Sequence, residues 1–274
     1  MVCYFFRKYK YVPLVIYLLL FVLMVFRLCV ADVQLGSLAA DDKSRFYEKY
    51  YVAPETAQIT FPEKRNVLMI VLESIEKQYA DETLFGQGGL IPNITKLEQD
   101  NVSFVNYHAL SGFSFTIAAI VGMTTGLPLY YTGPRVKEKM LGATGLGNVL
   151  LKNGYQTWAL FPASGKFSLK ENFLRRIGFQ NIYDGERFRS MLRSRYDANP
   201  FDGVDDASLF EASKPLISRI IHSEMPYFIF METINTHLKE YKTRACRNMG
   251  FEQETQADIV KCEDKIVYDF ISCF

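Results

Sequence analysis

The sequence lacks an excess of charge of either sign: 31 lysines and arginines stand against 30 aspartates and glutamates, and no basic-aromatic patch breaks the balance. The electrostatic footprint that nucleic-acid binding requires is therefore missing. Internal repeats and low-complexity segments are also missing, so neither a repeat array nor a disordered chain is expected. Histidine is scarce, with His108, His222 and His237 in no HxxxH spacing, and the five cysteines form no CxxC pair. That excludes the usual structural zinc sites. What is abundant is apolar surface: 49% of the 274 residues are hydrophobic and 15% aromatic, enough to bury a large core in one sizeable domain with appendages.

The N-terminus places Arg7, Lys8 and Lys10 ahead of an apolar run from Tyr11 to Phe26, interrupted at Arg27 and continuing through Ala31. About 20 such residues can cross a bilayer with one arginine snorkelling to the interface, and the positive flank keeps the N-terminus in the cytoplasm. An uncleaved membrane anchor over residues 1–31 is the expectation, with a signal peptide cut after Cys29-Val30-Ala31 as the competing one. Residues 32–62 read as a linker with room for a helix, and 63–274 as the main domain. If that domain is exported, Cys246 and Cys262 can close a loop of about 17 residues, contributing about 3 kcal/mol through the unfolded state. In a cytosolic protein they would be two free thiols.

From Asn66 onward the hydrophobic pattern alternates between strand and helix. NVLMIVLE is a continuous apolar run of strand length, as in a strand covered on both faces. IPNITKLEQDN follows as a helix with Asn93 or Thr95 near its start, and VSFVNYHAL as a second strand. SGFSFTIAAIVGMTTGLP is next, then the helix GLGNVLLKNGY and the strand QTWALFP. SLKENFLRRIGF follows with Ser168 as N-cap and Gly178 as stop. DDASLFEASKPLISRIIH is a long helix with Asp205 and Asp206 as caps, and PYFIFMETI is another buried strand. This order predicts an α/β fold with a mostly parallel sheet flanked by helices.

Ligands of such sheets sit beyond the carboxyl ends of the strands, and three reactive side chains fall there. Glu73 closes NVLMIVLE, where burial requires a partner, a hydrogen bond or a cation, unless it is simply solvated in the next loop. Thr116 opens an almost wholly apolar helix. A hydroxyl there either caps a free amide or, activated by a metal and helped by the amides and the helix dipole, serves as a nucleophile. His237 follows PYFIFMETI and suits donation to a phosphate oxygen or protonation of a leaving alkoxide, although a lone loop histidine more commonly sits on the surface. His108, on the expected second strand, and His222, at a helix end, read as structural.

NVLMIVLESIE, SGFSFTIAAIVGMTTGLPL, GNVLLKNGYQTWALF, KENFLRRIGF and METINTHLKEY occur in the order seen in the sulfatase-like branch of the alkaline phosphatase superfamily. The region from Asn66 onward most resembles the membrane-anchored phosphoglycerol transferases, relatives of lipoteichoic acid synthase that modify periplasmic glucans. The resemblance implies an enzyme of the bacterial inner membrane, its catalytic domain on the periplasmic or extracellular side. Thr116 would take phosphoglycerol from phosphatidylglycerol and pass it to a glycan or glycerol hydroxyl through phosphothreonine. It also implies a divalent metal ion (manganese, magnesium or zinc) on Glu73 and Thr116, substrate contacts from His237 and Lys170, and a Cys246–Cys262 bridge as in the glucan-modifying group. Phosphoethanolamine transfer uses the same threonine and metal. Arylsulfatase chemistry is disfavoured, because FSFTIAA holds no Cys or Ser in a C/S-x-P-x-R setting.

The family continues into a strand bearing an Asp-His ligand pair, and none follows here. The sequence stops at DIVKCEDKIVYDFISCF, a helix with Ile259, Ile266, Val267, Phe270 and Ile271 on one side, expected to leave apolar surface uncovered. A C-terminally incomplete domain that binds metal poorly and turns over little is the expectation, with a non-catalytic binding module of the same fold as the alternative.

Overall fold

Short, mainly apolar runs set the architecture, because a run without alternation can be buried on both faces only inside a sheet covered by helices. The computed structural model describes residues 12–30, 49–104, 106–108, 114–129, 142–237 and 241–274. The strands are β1 (Val67–Val71), β2 (Gln156–Leu160), β3 (Asn181–Tyr183), β4 (Ala198–Asn199), β5 (Gly203–Val204) and β6 (Tyr227–Glu232). Four of them form a sheet in the order β1-β6-β2-β3, every pair parallel, with Val71 opposite Glu232 and Leu160 opposite Met231. The carboxyl ends of β1, β6, β2 and β3 therefore share one edge. β4 and β5 form a separate antiparallel ribbon.

The helices are α1 (Val12–Val30), α2 (Glu82–Phe85), α3 (Pro92–Asp100), α4 (Thr116–Thr125), α5 (Leu146–Lys152), α6 (Lys170–Arg176), α7 (Gly185–Leu192), α8 (Asp206–Ile221), α9 (Arg244–Asn248) and α10 (Gln256–Ile271). Successive residues of β6 point to opposite faces and so belong to different cores. Phe228 and Phe230 pack with Ile120 and Val121 of α4 and Phe173 and Leu174 of α6. Ile229 and Met231 pack with Leu209 and Leu216 of α8 and Val267 and Phe270 of α10. Cys246 on α9 is bonded to Cys262 on α10, with 5.6 Å between their Cα atoms, inside the second core.

The chain divides into two units, Met1–Val52 and Ala53–Phe274. The first contains α1, whose described side chains, Leu14 to Val25, are all exposed. No helix among the described residues is long and apolar enough to cross a membrane. The positive flank Arg7, Lys8 and Lys10, the boundary at Ala31 and most of the expected linker lie outside the described residues. At its other end the linker region joins the second unit, where Phe61 packs on Tyr155 with ring centroids 5.7 Å apart.

Several local expectations are corrected. The described part of VSFVNYHAL is not a strand, and Val102, Phe104 and Tyr107 are exposed. An apolar pattern becomes a strand only where a neighbouring ladder takes its amides, and no described strand pairs with it. His108 accordingly lies on no strand. Ser168 does not cap α6: it and Leu169 both adopt left-handed backbone, φ 53° and 56°, in a 3-10 turn ahead of the helix, and the cap position, Leu169, offers no side-chain bond. Asp205 does cap α8, accepting the Ser208 N–H at 3.0 Å, but Asp206 turns inward. The apolar side of α10 is also covered, with Phe270 stacked on Phe210 of α8 at 4.2 Å, although Phe274 beyond it is exposed.

Two glycines are required by close approach. At Gly178, φ 97° lets the chain turn off α6 against the Asn148 amide, and at Gly203 a Cβ would stand 1.6 Å from the Pro162 carbonyl oxygen. Because that oxygen also accepts the Val204 N–H, it cannot move aside without breaking the ribbon's attachment. Gly203→Ala is expected to lower stability by at least about 2 kcal/mol, read as a depressed midpoint in thermal or urea unfolding.

Candidate active site

Glu73 lies two residues beyond β1, and its backbone is held from the neighbouring strand. Its N–H donates to the Thr233 hydroxyl at 3.0 Å, and its carbonyl accepts the Thr236 hydroxyl. Thr233 N–H in turn donates to the Val71 carbonyl at 3.0 Å, so the parallel ladder runs on past the end of β6. Ser74 then adopts left-handed backbone at φ 51°, turning the chain sharply at the rim.

α4 brings Thr116 to the same point. The cap position of this helix is Phe115, which makes no side-chain cap bond, so neither Ser114 nor Thr116 serves as a cap. The Thr116 hydroxyl instead donates to Glu73 Oε2 at 2.8 Å. The other carboxylate oxygen, Oε1, accepts the Ser74 hydroxyl at 2.9 Å and lies 3.3 Å from His237 Nδ1. His237 sits on a short 3-10 turn after β6, half-exposed, with its ring centroid 5.4 Å from that of Phe201. Residues 43 and 164 positions apart thus meet on one carboxylate.

Lys170 lines the same pocket together with Ile117, Ala163, Phe167, Ser168 and Ile234. Its ammonium is not free: Nζ lies 2.7 and 2.6 Å from the two oxygens of Glu232, both side chains are buried, and the Phe161 ring centroid is 4.9 Å away. Burial pushes the Glu232 carboxyl up, and the Lys170 charge opposes that shift. Glu232 is not among the residues expected from sequence, although it carries the same signal as Glu73, a carboxylate closing an apolar strand. The enclosed space is about 20 Å³, close to the room one water needs.

A divalent cation can be tested against this geometry. Two oxygens that share a cation about 2.1 Å from each lie about 3 Å apart when they are adjacent ligands, and the Thr116 and Glu73 oxygens are 2.8 Å apart. They fit two neighbouring positions of a coordination shell. Among the described residues there is no group of three or more His, Cys, Asp or Glu side chains suited to holding a metal.

The pattern of the Sulfatase family matches residues 65–269. The chain belongs to this family. Within the Sulfatase family it is 26% identical over 237 residues to phosphoglycerol transferase I of Escherichia coli O6:K15:H31, a match covering 82% of this chain and 30% of that protein. The chain thus spans about a third of the length of the relatives it matches. Among solved structures, the lipoteichoic acid synthase LtaP of Listeria monocytogenes superposes with a TM-score of 0.59 at 16% identity, covering 77% of this chain and 52% of that one. The phosphoglycerol transferase GacH of Streptococcus pyogenes, solved with sn-glycerol-1-phosphate, gives 0.52 at 14% identity, covering 77% and 57%. At such identities the structures speak for the fold, an alkaline phosphatase-like α/β domain.

The ion pair in this sulfatase-family pocket supports a test. Removing one partner of a buried pair strands the other charge, whereas removing both does not. Lys170→Met is expected to cost about 3 to 5 kcal/mol in urea unfolding, and Lys170→Met with Glu232→Met is expected to recover most of it.

Proposed function

We propose that this chain carries the nucleophilic half of a membrane-anchored phosphoglycerol transferase. The Thr116 oxygen attacks the phosphorus of a phosphatidylglycerol head group, and the bond from phosphorus to the diacylglycerol oxygen breaks. The resulting phosphothreonine is then attacked by a glycan or glycerol hydroxyl, which displaces the Thr116 oxygen. What supports this reading is the Thr116 hydroxyl donating to Glu73 at 2.8 Å from an uncapped helix N-terminus, with His237 on the opposite carboxylate oxygen.

Each residue has a role set by its surroundings. Glu73 Oε2, which already accepts the Thr116 hydroxyl, takes its proton as the oxygen attacks, and the α4 amides face incoming phosphate charge. His237, half-exposed at the mouth, donates to a phosphate oxygen or gives its proton to the departing alkoxide. Lys170, neutralised by Glu232, contacts substrate as part of the pocket floor rather than as a free cation. Glu73 and Thr116 would hold manganese, magnesium or zinc, and such an ion supplies positive charge beside the hydroxyl and the phosphate. Residues 1–31 anchor the chain in the bacterial inner membrane, 32–62 link, and 63–274 act on the outer side. The likeness to phosphoglycerol transferase I, and the glycerol phosphate held by GacH, favour glycerol over ethanolamine as the head group.

The test needs one chemical event per chain rather than turnover. The full chain is incubated with manganese and vesicles of phosphatidylglycerol or phosphatidylethanolamine, and the Thr116 peptide is weighed by mass spectrometry. A glycerol phosphate adduct is expected with phosphatidylglycerol, absent in Thr116→Ala and reduced at least about 100-fold in Glu73→Gln. An ethanolamine phosphate adduct would reassign the donor. No adduct from either lipid would sink the reading and leave a non-catalytic binding module of this fold.

A further inference from the structure

Two carboxyls with no part in that chemistry lie beneath the loop that follows β6. Asp206 opens α8, Glu263 sits on α10, and both are fully buried. Asp206 accepts the Ile234 N–H at 2.9 Å on each oxygen and the Asn235 N–H at 2.6 Å. Asn235 answers with both ends of its amide: its Oδ1 accepts the Asp206 N–H at 3.1 Å, and its Nδ2 donates to Glu263 Oε2 at 3.1 Å. Glu263 Oε1 is buried without a hydrogen-bond donor. The two carboxyls stand within hydrogen-bonding reach of each other.

Two carboxyls that close in a dry site do not both ionise. The loop amides already satisfy Asp206 as an anion, so the negative charge belongs there and the proton on Glu263. That proton also gives the carboxyl pair the donor it lacks. Burial, then the Asp206 charge, pushes Glu263 well up, and burial pushes Asp206 up against the pull of the amides. The other titratable groups facing the pair add negative charge: Asp205, the α8 cap, acts on both, and Tyr241 is itself pushed up by burial and by Asp205, Asp206 and Asp197. Among the described residues no cation pairs with either carboxyl.

The loop these groups hold is the one that builds the site. Thr233 and Thr236 grip the backbone of Glu73, Gln256 of α10 donates to the Thr236 carbonyl at 2.8 Å, and the His237 N–H closes on the Ile234 carbonyl at 2.9 Å. We propose that Asp206 and Glu263 are positioning residues: one proton shared between their carboxyls fixes the 233–237 loop, and through it the backbone of Glu73 and the ring of His237. The proposal rests on the transferase reading only for what the loop serves.

The test uses the full chain as wild type, Glu263→Gln and Glu263→Val. Thermal midpoints are measured from pH 5 to pH 8, together with the His237 imidazole NMR signal, assigned by its loss in His237→Asn. A carboxyl raised in the folded state contributes stability that is complete below its unfolded pKa and is lost as pH rises through the folded one. Glutamine keeps the neutral, hydrogen-bonding form at every pH. The Glu263→Gln midpoint is therefore expected to climb relative to wild type across this window, with the His237 signal unmoved. Valine leaves Asn235 and Asp206 without their partner, and the His237 signal is expected to shift. Equal pH slopes in wild type and Glu263→Gln overturn the shared proton. An unmoved His237 signal in Glu263→Val overturns the positioning role. If the valine variant does not fold, Asn235→Ala supplies the second readout, since it keeps both carboxyls and the loop amides on Asp206 but removes the side-chain amide that ties Glu263 to the loop, and an unmoved His237 signal there overturns the positioning role of Glu263. Neither measurement depends on lipid or turnover, so a failed transferase reading leaves this result distinguishable.

Discussion

The site depends on one carboxylate held at the end of a strand. Glu73 is anchored by its own backbone, through the Thr233 and Thr236 hydroxyls, before its side chain makes any contact. That anchoring needs β6 beside β1 in parallel register, because only then do the residues after Glu232 run alongside those after Val71. With the backbone fixed, the two carboxylate oxygens become a meeting point for groups from different parts of the chain, Thr116 on one and Ser74 and His237 on the other.

The hydrophobic layers do the positioning. α4 is nearly all apolar, and Ile120 and Val121 are fully buried against the sheet, so the helix has little freedom to slide or rotate. Its first residue is then delivered to the rim with an accuracy set by core packing rather than by the loop before it. The same logic applies on the other face, where the Cys246–Cys262 link and the α8–α10 contact hold the helices that brace the loop after β6.

Elements whose burial is decided by their own sequence were legible. NVLMIVLE, QTWALFP and PYFIFMETI are predominantly apolar and became three neighbouring strands of one parallel sheet. VSFVNYHAL carries a similar pattern but no described strand pairs with it, and composition does not say which ladder is available. Ser168 failed as a cap for a related reason: the backbone geometry of its turn, not the residue type, decides whether a hydroxyl reaches a helix amide. Glu73 and His237 could be placed at strand ends from sequence; Thr116 was expected beyond a strand that the described residues do not form, and it is the start of α4 that brings it to Glu73. The Asp206, Asn235 and Glu263 network was not legible, because DD before a helix looks like capping, and a glutamate on an amphipathic helix looks solvated until a partner helix buries it.

The acids around this rim differ in how exchangeable their present bonds are, and Glu73 stands apart from the other three. Glu232 is neutralised by the Lys170 ammonium on both oxygens, and displacing that partner would strand a buried charge. Asp206 is saturated by backbone amides that belong to the fold, and Glu263 answers to Asp206. Glu73 alone among these four carboxyls is met by side-chain hydroxyls and an imidazole, partners that can rotate away or turn a lone pair toward an incoming ion. Its oxygens are also the more open to solvent, since the Glu73 side chain is 15% exposed where Glu232 is 3%. A cation arriving at this edge would therefore find one carboxylate whose existing bonds are exchangeable, beside the Thr116 hydroxyl that α4 delivers to it.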